Sequence, residues 1–331
     1  MSGVSREKPI IATVIGDPGG IGPEVCVKAL ADGALGRMAH HLLIGDLEAI
    51  RVAATASGLN VRLRQIARPD EAASSDGAIA VLDPGNLAPG IWQVGQPSAA
   101  SGRAVLAWIR LAEQLGRDGL IDGWIMAPVD STSLKLSGGV DTLDDLQPPG
   151  TYLLRISQNL RIVPITEHIS ISDVPASVTR EAVSQLLALV SKAFARWGVA
   201  AVRIGVAGLN PHAMGTEEVA EIAPAVAEAR DSGLSVEGPI SPDAIFRQAI
   251  EGRFDVVLSM YHDQGQIALK TAAFEGACTI YIGLNYVHLT VPHGSAMDIA
   301  GKGIAQPSSM TAAMRMATSL CLGYGFVDDH G

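Results

Sequence analysis

Asp255-Val-Val-Leu-Ser-Met-Tyr-His-Asp-Gln-Gly265 is the stretch from which the rest of the chain is read. Its apolar run, Val256-Val257-Leu258, predicts a buried strand. The run empties into Tyr261, His262, Asp263 and Gln264, and Gly265 is expected to turn the chain. In open α/β sheets the ligand crevice lies beyond the carboxyl ends of the strands. A strand ending in His-Asp-Gln is therefore placed to offer a metal ligand, with a carboxylate beside it to orient the ring. A single histidine after a strand is more simply a polar turn. Two other strand ends of the same character shift that balance.

Leu160-Arg-Ile-Val-Pro-Ile165 delivers Thr166, Glu167 and His168, and Val202-Arg-Ile-Gly-Val206 delivers Gly208, Leu209, Asn210, Pro211 and His212. Imidazoles distant in sequence can meet where neighbouring strands run the same way. His168, His212 and His262 with one open position would make a catalytic divalent site, zinc first by ligand type, magnesium or another divalent ion behind it. Asp263, Asn210 and Glu167 are the expected partners for the remaining ring nitrogens. Three unrelated loop histidines are the alternative. His288 and His293, after Gly283, are further candidates to line a pocket. Lys270 follows His262 on the element leaving Gly265; near a metal it could act as general acid/base or as an anion clamp.

Working outward, Pro9 to Ile15 predicts the first strand, which runs into Gly16-Asp17-Pro18-Gly19-Gly20-Ile21-Gly22-Pro23-Glu24 and a helix over 25–30. Pro23 and Glu24 suit a helix start. Gly16, Asp17, Gly20 and Gly22 are candidates for close backbone approach to a nucleotide at that helix start, although the pattern is neither of the standard glycine-rich nucleotide motifs. A tight strand-to-helix turn is the plainer reading. Further strands are expected at 41–44, 61–65, 79–82, 123–126 and 279–282, and helices at 104–115, 180–197 (capped by Thr179), 217–232, 242–251, 296–300 and 309–322. Residues 137–150 and 283–294 read as loops. Strands alternating with helices predict an α/β fold with a largely parallel, doubly wound sheet.

The 331 residues suffice for two such domains or one large one. Lys and Arg number 24 against 34 Asp and Glu, a net charge of −10 that argues against nucleic acid or an anionic membrane as partner. The three cysteines show no CxxC, which predicts a reducing compartment without disulfides. The first nine residues lack an apolar signal core, and no run reaches the length of a membrane span, so a cytoplasmic location is expected.

GDPGGIGPE at 16–24, GLNPHA at 208–213, GPISPD at 238–243, MYHDQGQIALK at 260–270 and HGSAMDIAGKG at 293–303 together resemble the 4-hydroxythreonine-4-phosphate dehydrogenase family, from the first strand to the last helix. The resemblance implies a two-domain, isocitrate/isopropylmalate dehydrogenase-like fold with three α/β/α layers. Residues 1–129 with 275–331 would form one domain, and 130–274 a second that carries the metal ligands and dimer interface. It implies a homodimer whose active site lies between the domains and draws on both subunits. It implies a divalent metal on His168, His212 and His262, and NAD or NADP as hydride acceptor. It implies that a small anionic hydroxy acid is oxidised and loses carbon dioxide. Lys270 and Asp243 match active-site positions of the family.

The departures bear on the substrate. Asp130-Ser131 stands where the family has a histidine-lysine pair. The acidic 136–146 segment stands in place of GHTE, with Asp141 and Thr142 nearest in position. Thr279 replaces an asparagine, His288 an arginine and Pro292 an acidic residue. Losing an arginine fork and gaining carboxylates weakens a site for a doubly charged phosphate. HGSAMDIAGKG looks more like the branch that oxidises cis-dihydrodiols of aromatic carboxylates such as that of terephthalate, giving a catechol. That substrate is the first expectation. A 4-hydroxythreonine-4-phosphate or related sugar-acid phosphate dehydrogenase is the second, and an inactive metal-binding relative the third.

Overall fold

The computed structural model describes residues 8–74, 77–272 and 278–327. Its strands are β1 (Ile10–Val14), β2 (His40–Ile44), β3 (Leu63–Ile66), β4 (Ile79–Leu82), β5 (Gly123–Met126), β6 (Tyr152–Ser157), β7 (Leu160–Thr166), β8 (Ile204–Ala207), β9 (Val236–Ile240), β10 (Val256–Tyr261), β11 (Cys278–Ile282) and β12 (Val287–Thr290). The α-helices are α1 (Gly22–Leu30), α2 (Leu47–Ala56), α3 (Ala99–Arg117), α4 (Ser131–Ser137), α5 (Val174–Ser177), α6 (Arg180–Arg196), α7 (Ala223–Asp231), α8 (Ile245–Ile250), α9 (His262–Ala272) and α10 (Ser308–Leu322).

The chain forms two compact units. The first takes the described residues up to Pro149 and returns at Leu284–Leu322; the second takes Gly150–Gly283 and the segment from Gly323. In the first unit the strand order is β3-β4-β2-β1-β5-β12, every pair parallel. Strands of a parallel sheet are covered on both faces and so read as unbroken apolar runs; Ile10–Val14 and Ile79–Leu82 are buried at every position. Helix starts are fixed by side chains that accept orphan amides. Asp46 takes the Ala49 amide at 2.7 Å, Ser98 that of Ser101 at 3.0 Å, and Asp130 that of Ser133 at 2.8 Å. α4 lies against α3 so closely that a Cβ on Gly102 would meet the Ser133 carbonyl at 2.0 Å.

In the second unit the order is β11-β6-β7-β10-β8-β9. Here β6 runs antiparallel to both β7 and β11, while β7, β10, β8 and β9 are parallel. Two residues, Gln158 and Asn159, turn β6 into β7, with Gln158 in the left-handed region at φ 50°. The sheets are thus largely parallel, as expected, with β6 the strand that runs against its neighbours. One end of this unit is closed by aromatics: Phe194 and Trp197 at the end of α6 pack on Phe326 at centroid distances of 5.0 and 5.8 Å, and the Arg161 guanidinium covers the Phe326 ring at 4.4 Å.

Three local expectations need correcting. Gly265 does not turn the chain; α9 begins at His262 and runs through it. The glycine is there because a Cβ would meet Ile162 at 2.7 Å and the Ser259 hydroxyl at 3.0 Å. Residues 283–294 are not all loop, since β12 lies within them, and 296–300 form turns rather than a helix.

Candidate functional site

β7 and β10 are parallel neighbours, with Thr166 paired to Tyr261. The residues just past their carboxyl ends, Glu167, His168 and His262, are thereby brought side by side. Their ligand atoms lie within 4.8 Å of one another, and the two imidazoles tilt together at a centroid distance of 4.7 Å. His262 Nδ1 bonds Asp263 Oδ1 at 2.7 Å, which fixes the ring and leaves Nε2 for a cation. Glu167 is held in a two-pronged pair by Arg155, at 2.9 and 2.7 Å. Two imidazoles and a carboxylate are a donor set that suits a divalent transition ion.

His212 is not part of that group. It is exposed on the turn after β8, with backbone in the left-handed region at φ 56°, and Ala213 follows at φ 54°. Asn210 is bound to Glu217 and Glu218, each at 2.8 Å. Lys270 is exposed on the last turn of α9. Asp243 is exposed and accepts from the Ser241 hydroxyl at 2.5 Å.

The remaining candidates fall in different settings. His288 is 2% exposed and stacked on Trp124 at 3.6 Å, in the core of the first unit. Burial drives its pKa down to about 3 despite the Trp124 carbonyl beside it. Such a ring is a neutral packing group, not a replacement for an arginine that contacts an anion. Asp141 and Thr142 are exposed, and both backbone amides are tied to Asp145, at 2.9 and 2.8 Å. Thr279 is half-buried on β11. Asp130 caps α4 and accepts the Ser295 hydroxyl at 2.8 Å.

The glycine loop is crowded by its own chain. A Cβ on Gly16 would meet the Pro128 carbonyl at 2.0 Å, on Gly22 the Ile15 carbonyl at 2.1 Å and on Gly20 the Ser295 carbonyl at 2.8 Å. Backbone packing thus accounts for these glycines. Asp17 is fully buried; its Oδ1 accepts the Gly19 amide at 2.8 Å, and the Ser133 hydroxyl is a second donor beside it. Burial raises its pKa, with Asp130 adding to the effect. Beside this loop is a cavity of about 480 Å³ whose lining includes Ile21, His293, Ala296, Ile299, Gln306 and Ser309. The Ile21 amide donates to the Ser295 carbonyl at 2.8 Å and joins the loop to the cavity wall. Of these, only His293 is a candidate from the sequence alone. Arg155 was also unmarked, because its partner lies across a hairpin.

The family profile described as pyridoxal phosphate biosynthetic protein PdxA matches residues 37–317. The chain belongs to the PdxA family. A protein of Novosphingobium aromaticivorans, provisionally named 4-hydroxythreonine-4-phosphate dehydrogenase, is 43% identical over 97% of each chain. The crystal structure of a 4-hydroxythreonine-4-phosphate dehydrogenase from Burkholderia phymatum is 33% identical, with TM-score 0.83, over 95% of this chain and 99% of that one. That of a terephthalate 1,2-cis-dihydrodiol dehydrogenase from Burkholderia xenovorans is 31% identical, with TM-score 0.72, over 94% and 98%. The PdxA family is one of dehydrogenases, and the relatives named for a phosphorylated hydroxy acid are the nearer of these in sequence and shape. The order of substrates expected above is therefore reversed: the phosphorylated hydroxy acid moves ahead of the dihydrodiol. No described helix is long and apolar enough to cross a membrane.

Proposed function

We propose that the protein is a divalent-metal-dependent, NAD(P)-linked dehydrogenase of a 4-phosphorylated hydroxy acid, such as 4-hydroxythreonine 4-phosphate. The observation that carries this reading is the meeting of His168 and His262, with Asp263 orienting the second ring. A cation held there would act as a Lewis acid on the substrate hydroxyl and would stabilise an enolate if carbon dioxide then leaves. The chain's own part is to present the two imidazoles side by side and to keep Glu167 fixed by Arg155, whose guanidinium offsets the carboxylate charge. Lys270, on the helix that begins with His262, is the group we assign to proton transfer or to the substrate's anionic end, with Asp243 as a further substrate contact. The cavity at Ile21, His293 and Gln306 is where we place the dinucleotide, next to the loop that holds Gly16, Asp17, Gly20 and Gly22.

The third imidazole, His212, we assign to the site of a second copy in a homodimer. Exposed apolar side chains support this assignment, because they sit beside the histidines in sequence: Ile169 and Ile171 after His168, Met214 after His212 and Ile267 on α9, 45–81% exposed. A second reading, the dihydrodiol of an aromatic carboxylate, draws support from Asp130 and Asp141, carboxylates that do not suit a phosphate.

A reductase-coupled assay decides between the two. The metal-loaded protein would be given 4-hydroxythreonine 4-phosphate and terephthalate dihydrodiol in turn, with NAD or NADP. Faster reduction with the phosphate supports the proposal, and turnover of the diol alone overturns the substrate. His262→Ala should lose both bound metal and rate; full metal content in that variant would overturn the site.

A further inference from the structure

The turn that carries His212 is held from beneath by one buried acid. Glu218 is 3% exposed; its Oε1 accepts the amides of Leu209 and Asn210, each at 2.7 Å, and its Oε2 accepts Asn210 Nδ2 at 2.8 Å. Burial works to raise this carboxyl, but the donors from Asn210 and Leu209 outweigh it and the group lies below the usual carboxylate range. The turn closes tightly on the acid. A Cβ on Gly215 would meet Asn210 Nδ2 at 2.1 Å and Glu218 Oε2 at 2.6 Å. A π-helical turn over Glu218–Ile222 follows directly, a feature often found at functional sites. Above the acid, His212 and Ala213 both sit in the left-handed region, costly for residues with a Cβ. A strained pair of this kind persists only where its surroundings over-determine it.

A second tie comes from the other histidine turn. Gln264, two residues after His262, donates from Nε2 to the Gly208 carbonyl at 2.9 Å while its Oε1 accepts the Met260 amide at 2.7 Å. One side chain thus joins the start of α9 to the start of the His212 turn.

We propose that Glu218 and Gln264 are positioning residues for metal binding: together they hold the His212 imidazole in a fixed, outward orientation ready to complete a cation site. The inference rests on the metal reading above. A preset ligand loses less freedom on binding than a mobile one, so loosening the turn should weaken the cation without removing any ligand.

The test uses the full-length apoprotein titrated with Co²⁺, following visible absorption and competition with a chelator. Wild type should bind the ion with a spectrum of low-symmetry nitrogen coordination, and His212→Ala should bind more weakly. Glu218→Gln and Gln264→Leu should each raise the dissociation constant about 10- to 100-fold and shift the spectrum toward that of His212→Ala. Gln264→Leu leaves every carboxylate in place, so it carries the test if Glu218→Gln does not fold. Folded variants with dissociation constants within twofold of wild type would overturn the proposal. So would an unchanged constant in His212→Ala. A wild-type protein that binds no Co²⁺ would overturn the metal reading itself, and the positioning role with it.

Discussion

Mild acid should destabilise this protein, and the cause would be two histidines of the first unit. His288 is fully enclosed against Trp124 and its pKa is pushed down to about 3. His41 is half-buried, its ring nitrogens are enclosed without a partner, and that enclosure together with His40 pushes its pKa down to about 4. In the unfolded chain both rings take up a proton below about pH 6.5, whereas in the folded chain they resist until near pH 3 to 4. Stability therefore falls with acidification across that window and is flat above it. Each ring contributes about 1.4 kcal/mol per pH unit. Between pH 6.5 and 4.5 the pair thus removes roughly 5 kcal/mol, against a total for a protein of roughly 5–15 kcal/mol. Asp17, Asp46 and Glu113 oppose this, since burial raises all three and folding then takes up protons, but only near the carboxylate range. Urea unfolding followed by circular dichroism at half-unit steps from pH 7.5 to 4.5 would measure the slope. His288→Phe keeps a flat ring on Trp124 and cannot titrate, so it should lose about one proton's worth of slope. Parallel pH profiles for that variant and wild type would refute the reasoning.

Two further predictions concern packing and pairing. Gly16→Ala should cost several kcal/mol or prevent folding, because φ is +73° and the new methyl would meet the Pro128 carbonyl at 2.0 Å. Gly33→Ala, at φ +70° with nothing within 4 Å, should cost only about 1–2 kcal/mol; equal thermal shifts in the two would refute the steric account. Arg155 and Glu167 are 10% and 21% exposed. Arg155→Met should therefore destabilise by roughly 3 kcal/mol by leaving a carboxylate without its counter-charge, and Arg155→Met with Glu167→Gln should recover part of the loss. Additive losses in that double-mutant cycle would show that the pair is not coupled.

Much of this arrangement is legible in the chain because parallel strands write themselves as short apolar runs that stop abruptly at polar residues. Val256-Val257-Leu258 and Leu160 to Ile165 are such runs, and their pairing in register is what brings His262 beside His168. β6 escaped that reading: it carries Arg155 amid its apolar residues and follows a polar loop, and its reversal at Gln158 needs a left-handed residue that is not glycine. Gly265 was misread because a glycine after polar residues signals a turn, whereas here it admits Ile162 against a helix. Glu218 falls within the helix expected over 217–232 and nothing in the sequence singles it out; its enclosure under the His212 turn gives it its meaning. His288 aligned with a family arginine by position, but its neighbour Trp124 across the sheet, not its sequence context, sets its character.

Phe326 belongs to the same unit as Phe194 and Trp197, although the other unit's α10 comes between them in chain order. During synthesis, α6 would leave the ribosome with its aromatic end still bare to water. The cap would be applied only after more than a hundred further residues had emerged. Nascent chains stalled before that point should accordingly be the ones that chaperones retain and proteases clip.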